Sequence, residues 1–469
     1  MTGYQVNFIR EEEINHILTQ ASQAPLSLQA EVLEKARLAE GLSPFETAVL
    51  LAVEDEDLLS EMFRVAALVK EQIYGKRVVL FAPLYLSNFC INNCRYCGYR
   101  RDNDFPRRKL AMAEIEAEVK ILESMGHKRL VIECGEDPKN CPIDYVLEAI
   151  AAIYQVKDKN GSIRRVNVNI AATTVEEYRL LKEAGIGTYI LFQETYHAPT
   201  YAYMHPSGPK SDYWWHTTAM HRAMEAGLDD VGFGVLYGLY DYRYETVAML
   251  MHALELERVF GVGPHTISVP RLKPAAGVEI NGFNCRVGDR EFKKLVAVLR
   301  LAVPYTGIIL STRERADLRQ ELLAAGVSQI SAGSCTGVGG YSRDCGAKSN
   351  GPRETAQFQV EDHRSPDEVL AGLCSDGYIP SYCTACYRQG RTGDRFMALA
   401  KCGEIQNVCQ PNAILTFQEF LEDYALPFTR EIGEKTIQEH LAHIANPAVR
   451  ATTVKRLQEI KAGRRDLYF

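Results

Sequence analysis

Up to about residue 75, apolar positions recur every three or four residues. The stretch SLQAEVLEKARLAEGLSPFETAVLLAVEDEDLLSEMFRVAALVKEQIYG shows this spacing, which predicts a helical N-terminal extension over residues 1–75. From Arg77 the texture changes. Short β-branched runs alternate with amphipathic stretches, the pattern of βα units around a parallel sheet. Eight runs read as strands: RVVLFAPLYLS, RLVIECGE, RRVNVNIAA, TYILFQETY, VGFGVLYG, HTISVPRL, GIILSTR and VSQISAGSC. Helical patterns such as MAEIEAEVKILESMG, VEEYRLLKEAG and YETVAMLMHALELERVFG lie between them. Eight strands with seven intervening helices predict an α/β fold, a complete (β/α)8 barrel of TIM type over residues 76–345. After about residue 346 the alternation stops. EDHRSPDEVL reads as a connection, and the rest of residues 346–469 reads as a helical C-terminal domain.

Barrel enzymes place their chemistry at the C-terminal ends of the strands. Polar residues collect there in this chain. The loop NFCINNCRYCGYR follows strand one, Glu133 and Glu136 follow strand two, and Asn169 ends strand three. Gln193 and Glu194 follow strand four, Arg271 and Lys273 strand six, Arg313 strand seven, and SAGSCTGVGGYSRDCG strand eight. Packing gives a buried strand no reason to end so regularly in charge.

Composition narrows the classes. A formal net charge of −7 leaves no basic excess for phosphate backbones, so no nucleic-acid partner is expected. MTGYQVNFIREEEINHIL carries charges where a signal peptide needs an apolar run, and no stretch approaches a membrane span. The expectation is a cytoplasmic protein with no membrane partner. Thirteen cysteines then call for metal ligation rather than disulfides. Six fall in two groups, Cys90, Cys94 and Cys97, then Cys383, Cys386 and Cys409. Cys134, Cys141, Cys285, Cys335, Cys345, Cys374 and Cys402 are scattered and read as small buried hydrophobes, with Cys402 set apart.

Cys90, Cys94 and Cys97 form C-x3-C-x2-C on one loop. Three thiolates can hold three corners of a cubane cluster and leave the fourth iron open, whereas zinc wants a fourth close ligand. The spacing, with Tyr96 before the last cysteine, resembles the radical S-adenosylmethionine (SAM) superfamily. Cys134-Gly135-Glu136 stands where that superfamily usually has Gly-Gly-Glu, so Cys134 replaces the first glycine. The resemblance implies a 4Fe-4S cluster on the three cysteines, with S-adenosyl-L-methionine at its open iron. It also implies Tyr96, Glu136, Asn169 and Glu194 as cofactor-binding residues.

Cys383, Cys386 and Cys409 form C-x2-C-x22-C. On spacing alone this is either a zinc site completed by Cys402 or a second cluster with one open iron. HPSGPKSDYWW, PHTISVPRLKPA and LSTRE resemble the aromatic-amino-acid lyase branch that contains 2-iminoacetate synthase. With the C-terminal cysteines, the chain resembles the tyrosine lyases that mature FeFe-hydrogenase. That resemblance implies cleavage of the Cα–Cβ bond of L-tyrosine to p-cresol and dehydroglycine. It further implies formation of carbon monoxide and cyanide at an auxiliary 4Fe-4S-type cluster on Cys383, Cys386 and Cys409, bearing an extra iron. Implied partners are hydrogenase-maturation scaffold proteins, an electron donor, free cysteine and iron. Arg313, at the end of strand seven, offers a planar two-pronged donor to the substrate carboxylate. His265, at the start of strand six, is placed to bind the extra iron. Two other readings stand beside this one: a 2-iminoacetate synthase, and a non-catalytic Fe–S carrier.

Overall fold

A computed structural model describes residues 7–344 and 356–469. Cys345 and the expected boundary at residues 345–346 lie outside the described residues.

Eight parallel strands close on themselves. They are β1 (Arg77–Ser87), β2 (Arg129–Cys134), β3 (Arg165–Asn169), β4 (Tyr189–Glu194), β5 (Val231–Val235), β6 (Thr266–Ser268), β7 (Gly307–Leu310) and β8 (Gln329–Ser331). Each pairs with the next, and β1 closes the cylinder by pairing with both β2 and β8. Parallel strands buried on both faces read as unbroken apolar runs, which is why all eight are visible in the sequence. β1 is long enough to serve three neighbours at different heights. Its last residues pair with β2, Val79–Phe81 pair with β8, and Arg77–Val79 pair with a ninth strand, β9 (Ile379–Ser381).

β9 corrects the expectation that everything after residue 346 is helical. The strand is short, and Pro380 at its centre has no N–H to give, so it is tolerated only at a sheet edge. β9 ties the C-terminal domain to the N-terminal end of the barrel. Its helices at Pro366–Ser375, Ile405–Asp423, Pro427–Ala442 and Pro447–Lys461 pack around it and one another. A second difference lies between β4 and β5, where the crossover is broken into short helices at Ala198–Met204, Tyr213–Thr217 and Ala219–Glu225. The N-terminal extension is helical, as the spacing predicts, and its helix Glu56–Tyr74 packs on Asp289–Ala302 of the barrel. Among the described residues no helix is long and apolar enough to cross a membrane.

Candidate functional site

The loop after β1 is braced by its own polar side chains. The Arg107 guanidinium donates to the carbonyls of Asn88 (2.7 Å), Tyr99 (2.8 Å) and Arg100 (2.6 Å), closing the loop from below. Asn93 is fixed between the Asp102 carboxylate and the Arg100 guanidinium. Asn92 accepts from the Lys210 backbone N–H at 2.9 Å and donates to Glu136 at 2.5 Å, joining three loops at one point. A side chain at Gly135 would sit 2.3 Å from the Phe89 carbonyl, so the Cys-Gly-Glu turn packs against the cysteine loop only with glycine there.

Cys90, Cys94 and Cys97 all line a cavity of about 210 Å³ at the C-terminal ends of the strands. Tyr96, Glu136, Asn169, Glu194 and Arg313 line it as well, so one space gathers every residue expected on this side. Burial pushes the Cys97 thiol up to about 11 and raises Cys90 and Cys94 too, so these thiols are poor anions until a cation or metal faces them. Tyr99 N–H (3.4 Å) and the Gln357 side-chain amide (3.8 Å) both donate to the Cys97 sulfur. The Tyr96 hydroxyl meets His205 Nε2 at 2.8 Å.

Lys210 completes the charge balance and was missed by the sequence reading, although HPSGPK was singled out. Its Nζ lies 2.7 Å from the Glu194 carboxylate. Burial opposes its charge, but Glu194 and the Cys94 and Cys97 thiols outweigh that and raise its pKa. Glu194 itself sits at a register shift in β4 with φ +68°, a left-handed conformation that a non-glycine residue holds only under constraint. Glu133 lies within β2 rather than after it. Burial raises it to about 8, although Asn169 and Arg313 pull the other way. The Arg313 guanidinium lies 3.3 Å from the centre of the Phe358 ring, and among the described residues it has no ion-pair partner. Arg271 and Lys273, by contrast, are spent on Glu314, with Asp289 and Glu361 as further partners.

A second, smaller cavity of about 60 Å³ opens at the opposite mouth. Cys383, Cys386, Cys409 and His265 all line it. β9 delivers Cys383 just past its end, a helical turn carries Cys386, and the helix Ile405–Asp423 carries Cys409. Burial raises the Cys386 thiol. His265 Nε2 faces the Tyr387 hydroxyl at 3.5 Å and the Asp230 carboxylate at 4.0 Å, and burial lowers its pKa, keeping the imidazole neutral as a metal ligand must be. Cys402 is exposed and lines neither cavity. Among the described residues no three His, Cys, Asp or Glu side chains converge on one ion. The three thiols of each motif line one cavity, a donor set that fits three corners of a cluster.

A closed parallel barrel with a three-cysteine loop leaving its first strand and a cavity at the strand ends defines the radical SAM class. The family model of the Radical SAM superfamily matches residues 84–254, and that of the Biotin and Thiamin Synthesis associated domain matches residues 268–379. The 2-iminoacetate synthase of Escherichia coli K12 is 31% identical over 350 residues, 74% of this chain and 89% of that protein. The crystal structure of HydG, a maturase of the FeFe-hydrogenase, is 62% identical with a TM-score of 0.96, covering 99% of this chain and 100% of that one. The X-ray structure of the FeFe-hydrogenase maturase HydG from Carboxydothermus hydrogenoformans is 40% identical with a TM-score of 0.82, over 95% and 97% of the two chains. The chain belongs to the HydG family of radical SAM maturases. Membership implies a 4Fe-4S cluster and S-adenosylmethionine.

Proposed function

We propose that this protein is a tyrosine lyase that also converts the released fragment. It takes L-tyrosine in the larger cavity, breaks the Cα–Cβ bond and frees p-cresol. The dehydroglycine fragment then becomes carbon monoxide and cyanide in the smaller cavity, for an iron unit of the FeFe-hydrogenase.

Cys90, Cys94 and Cys97 would hold a 4Fe-4S cluster, which together with S-adenosylmethionine would supply the hydrogen-abstracting radical. The chain's own residues do the rest. Glu136, steered by Asn92, accepts the cofactor's amino group, and Glu194 with Asn169 meets its polar body. Arg313, flat on Phe358 and free of carboxylate partners among the described residues, receives the substrate carboxylate. Burial of the walls keeps water from the radical. Cys383, Cys386 and Cys409 hold the auxiliary cluster, with His265 facing an extra iron that is cargo.

The observation that carries this reading is the second thiol-lined cavity. A 2-iminoacetate synthase or a cluster carrier has no need of three cysteines and a histidine at the far mouth of a barrel. Cys386→Ala separates the readings: p-cresol should still form while carbon monoxide is lost. If both products disappear together, the division between the cavities is wrong. The scaffold proteins of hydrogenase maturation and a low-potential electron donor in the cytoplasm are the partners this function requires.

A further inference from the structure

Three neighbouring strands open with arginine at the smaller cavity's end of the barrel. Arg77 begins β1, Arg129 begins β2 and Arg165 begins β3, with Arg129 and Arg165 in direct register. Their exposures are 7%, 6% and 6%. Arg77 and Arg129 line the cavity, and Arg165 stacks 3.0 Å from the centre of the Tyr387 ring that lines it.

Buried guanidinium groups are stable only when charge and N–H groups are matched. Here they are not. Among the described residues none of the three makes an ion pair. Arg129 donates a long bond to the Cys383 carbonyl at 3.4 Å, and Arg165 one to the Ile186 carbonyl at 3.2 Å. The Nε of both is buried without a partner. The nearby Asp230 carboxylate offsets Arg165 by charge alone, since neither of its oxygens makes a hydrogen bond. Nor is Arg165 there by accident, since a Cβ at Gly187 would lie 1.9 Å from its Nε and exclude it. Three guanidinium groups thus share one carboxylate, and positive charge is in excess at this mouth of the barrel.

A planar fork with unused N–H groups matches a carboxylate. Arg77 and Arg129 share the smaller cavity with Cys383, Cys386, Cys409 and His265, so an anion on the two guanidinium groups lies beside the thiols. We propose that Arg77 and Arg129, backed by Arg165 behind the Tyr387 ring, form a subsite for a small two-carbon carboxylate, holding it against the thiols and His265 of the second cavity. The proposal rests on the function proposed above, because a fragment of dehydroglycine type is the carboxylate that would arrive there.

The test uses anaerobic, unreduced holoenzyme saturated with S-adenosylmethionine and tyrosine, so that the first cavity is filled and nothing turns over. Equilibrium binding of carbon-14 glyoxylate, a stable carboxylate of the same size, is measured for wild type, Arg77→Gln and Arg129→Gln, alongside iron and sulfide content. Affinity should fall at least about tenfold in each variant, the weight of one charge-assisted hydrogen bond, with iron and sulfide at the wild-type level. On reduction, cyanide formed per p-cresol should fall by a similar factor. Unchanged glyoxylate affinity overturns the proposal. So does loss of auxiliary iron in the variants, which would make the arginines counter-ions of the cluster. Should Arg77→Gln not fold, Arg129→Gln carries the same test. A wild type that makes p-cresol without cyanide sinks the function instead, and glyoxylate binding still reports on the subsite.

Discussion

Arg313 is the residue whose chemistry is least replaceable. Stacking on Phe358 fixes the plane of its guanidinium, and burial among Tyr85, Glu194 and Glu133 leaves it aimed into the cavity. Arg313→Lys keeps the charge but loses the fork and the stacking, so KM for tyrosine should rise roughly tenfold, about 1.4 kcal/mol. An unchanged KM in a steady-state p-cresol assay would remove Arg313 from substrate binding. Glu245 makes a different prediction. Burial raises it to about 8, although the Thr195 hydroxyl and the Tyr196 N–H (2.8 Å) stabilise its anion. The folded state therefore binds its proton more tightly than the unfolded chain. The resulting stability is complete below the ordinary value of 4.5 and is lost as pH rises through about 8. Thermal melts should show Tm falling across that window, with a shallower fall in Glu245→Gln. Glu133, raised to a similar value, keeps a residual slope. At this scale the sequence disclosed residues that gather at the two cavities but not their counter-charges. Motif spacing picked out the cysteines, and strand ends picked out Arg313 and Glu194. Lys210 hides in the irregular crossover after β4, whose path back to Glu194 no periodicity reveals. Arg77, Arg129 and Arg165 look like ordinary polar strand starts. The repeated Arg-apolar opening of RVV, RLV and RVN was the available signal, but only closure of the barrel shows that the three side chains meet.

Elements set the second site through a strand that no periodicity could reveal. β9 is too short to show alternation, and Pro380 argues against a strand, yet pairing with Arg77–Val79 makes it the hinge from which Cys383 is hung. The broken β4–β5 crossover escaped for a related reason. Gly208 turns there at φ +98°, and its Cα approaches Asn92 so closely that a Cβ would fall 2.3 Å from the Asn92 side-chain oxygen. Long elements that bury a whole face were legible, whereas short ones fixed by a single distant contact were not. The turn carrying Cys386 is held in the same manner. Arg388, two residues on, makes a two-pronged pair with Asp466 at 2.7 and 2.8 Å, and Asp466 also lies 3.2 Å from Arg164. Asp466→Ala should leave Arg164, whose side chain is 6% exposed, short of a partner and loosen that turn. A stability loss of about 1–3 kcal/mol is expected, with lower iron occupancy at the second site than at the first. Equal loss of iron from both sites would show that Asp466 supports the whole domain and not this turn.

At the scale of the molecule, the two cavities are successive floors of one cylinder. Along β1, Val79 faces the smaller cavity, and Phe81 and Pro83 face the larger. Along β2 the sequence is Arg129, then Val131 and Glu133; along β7 it is Gly307, then Ile309 and Ser311; along β8, Gln329, then Ser331. Residues two apart point to the same side of a strand, so these form consecutive layers of the barrel interior. Small residues at Gly307 and Ser331 thin the layer between the floors, while Val131 and Ile309 are the apolar side chains that narrow it. Under the function proposed above, a fragment made above and consumed below would travel along this axis. Ile309→Trp would block that route at a cost of about 1–3 kcal/mol from overpacking. Because Ile309 lines the larger cavity, p-cresol output can itself fall, so cyanide and carbon monoxide are read per p-cresol formed. Dehydroglycine should then escape upward and hydrolyse to glyoxylate and ammonia, with cyanide and carbon monoxide falling together. Glyoxylate trapped in the medium, measured against p-cresol, reads the leak directly. Cyanide that stayed at the wild-type ratio in a folded Ile309→Trp protein would mean that the fragment reaches the second site from outside, and the barrel interior would then be packing rather than passage.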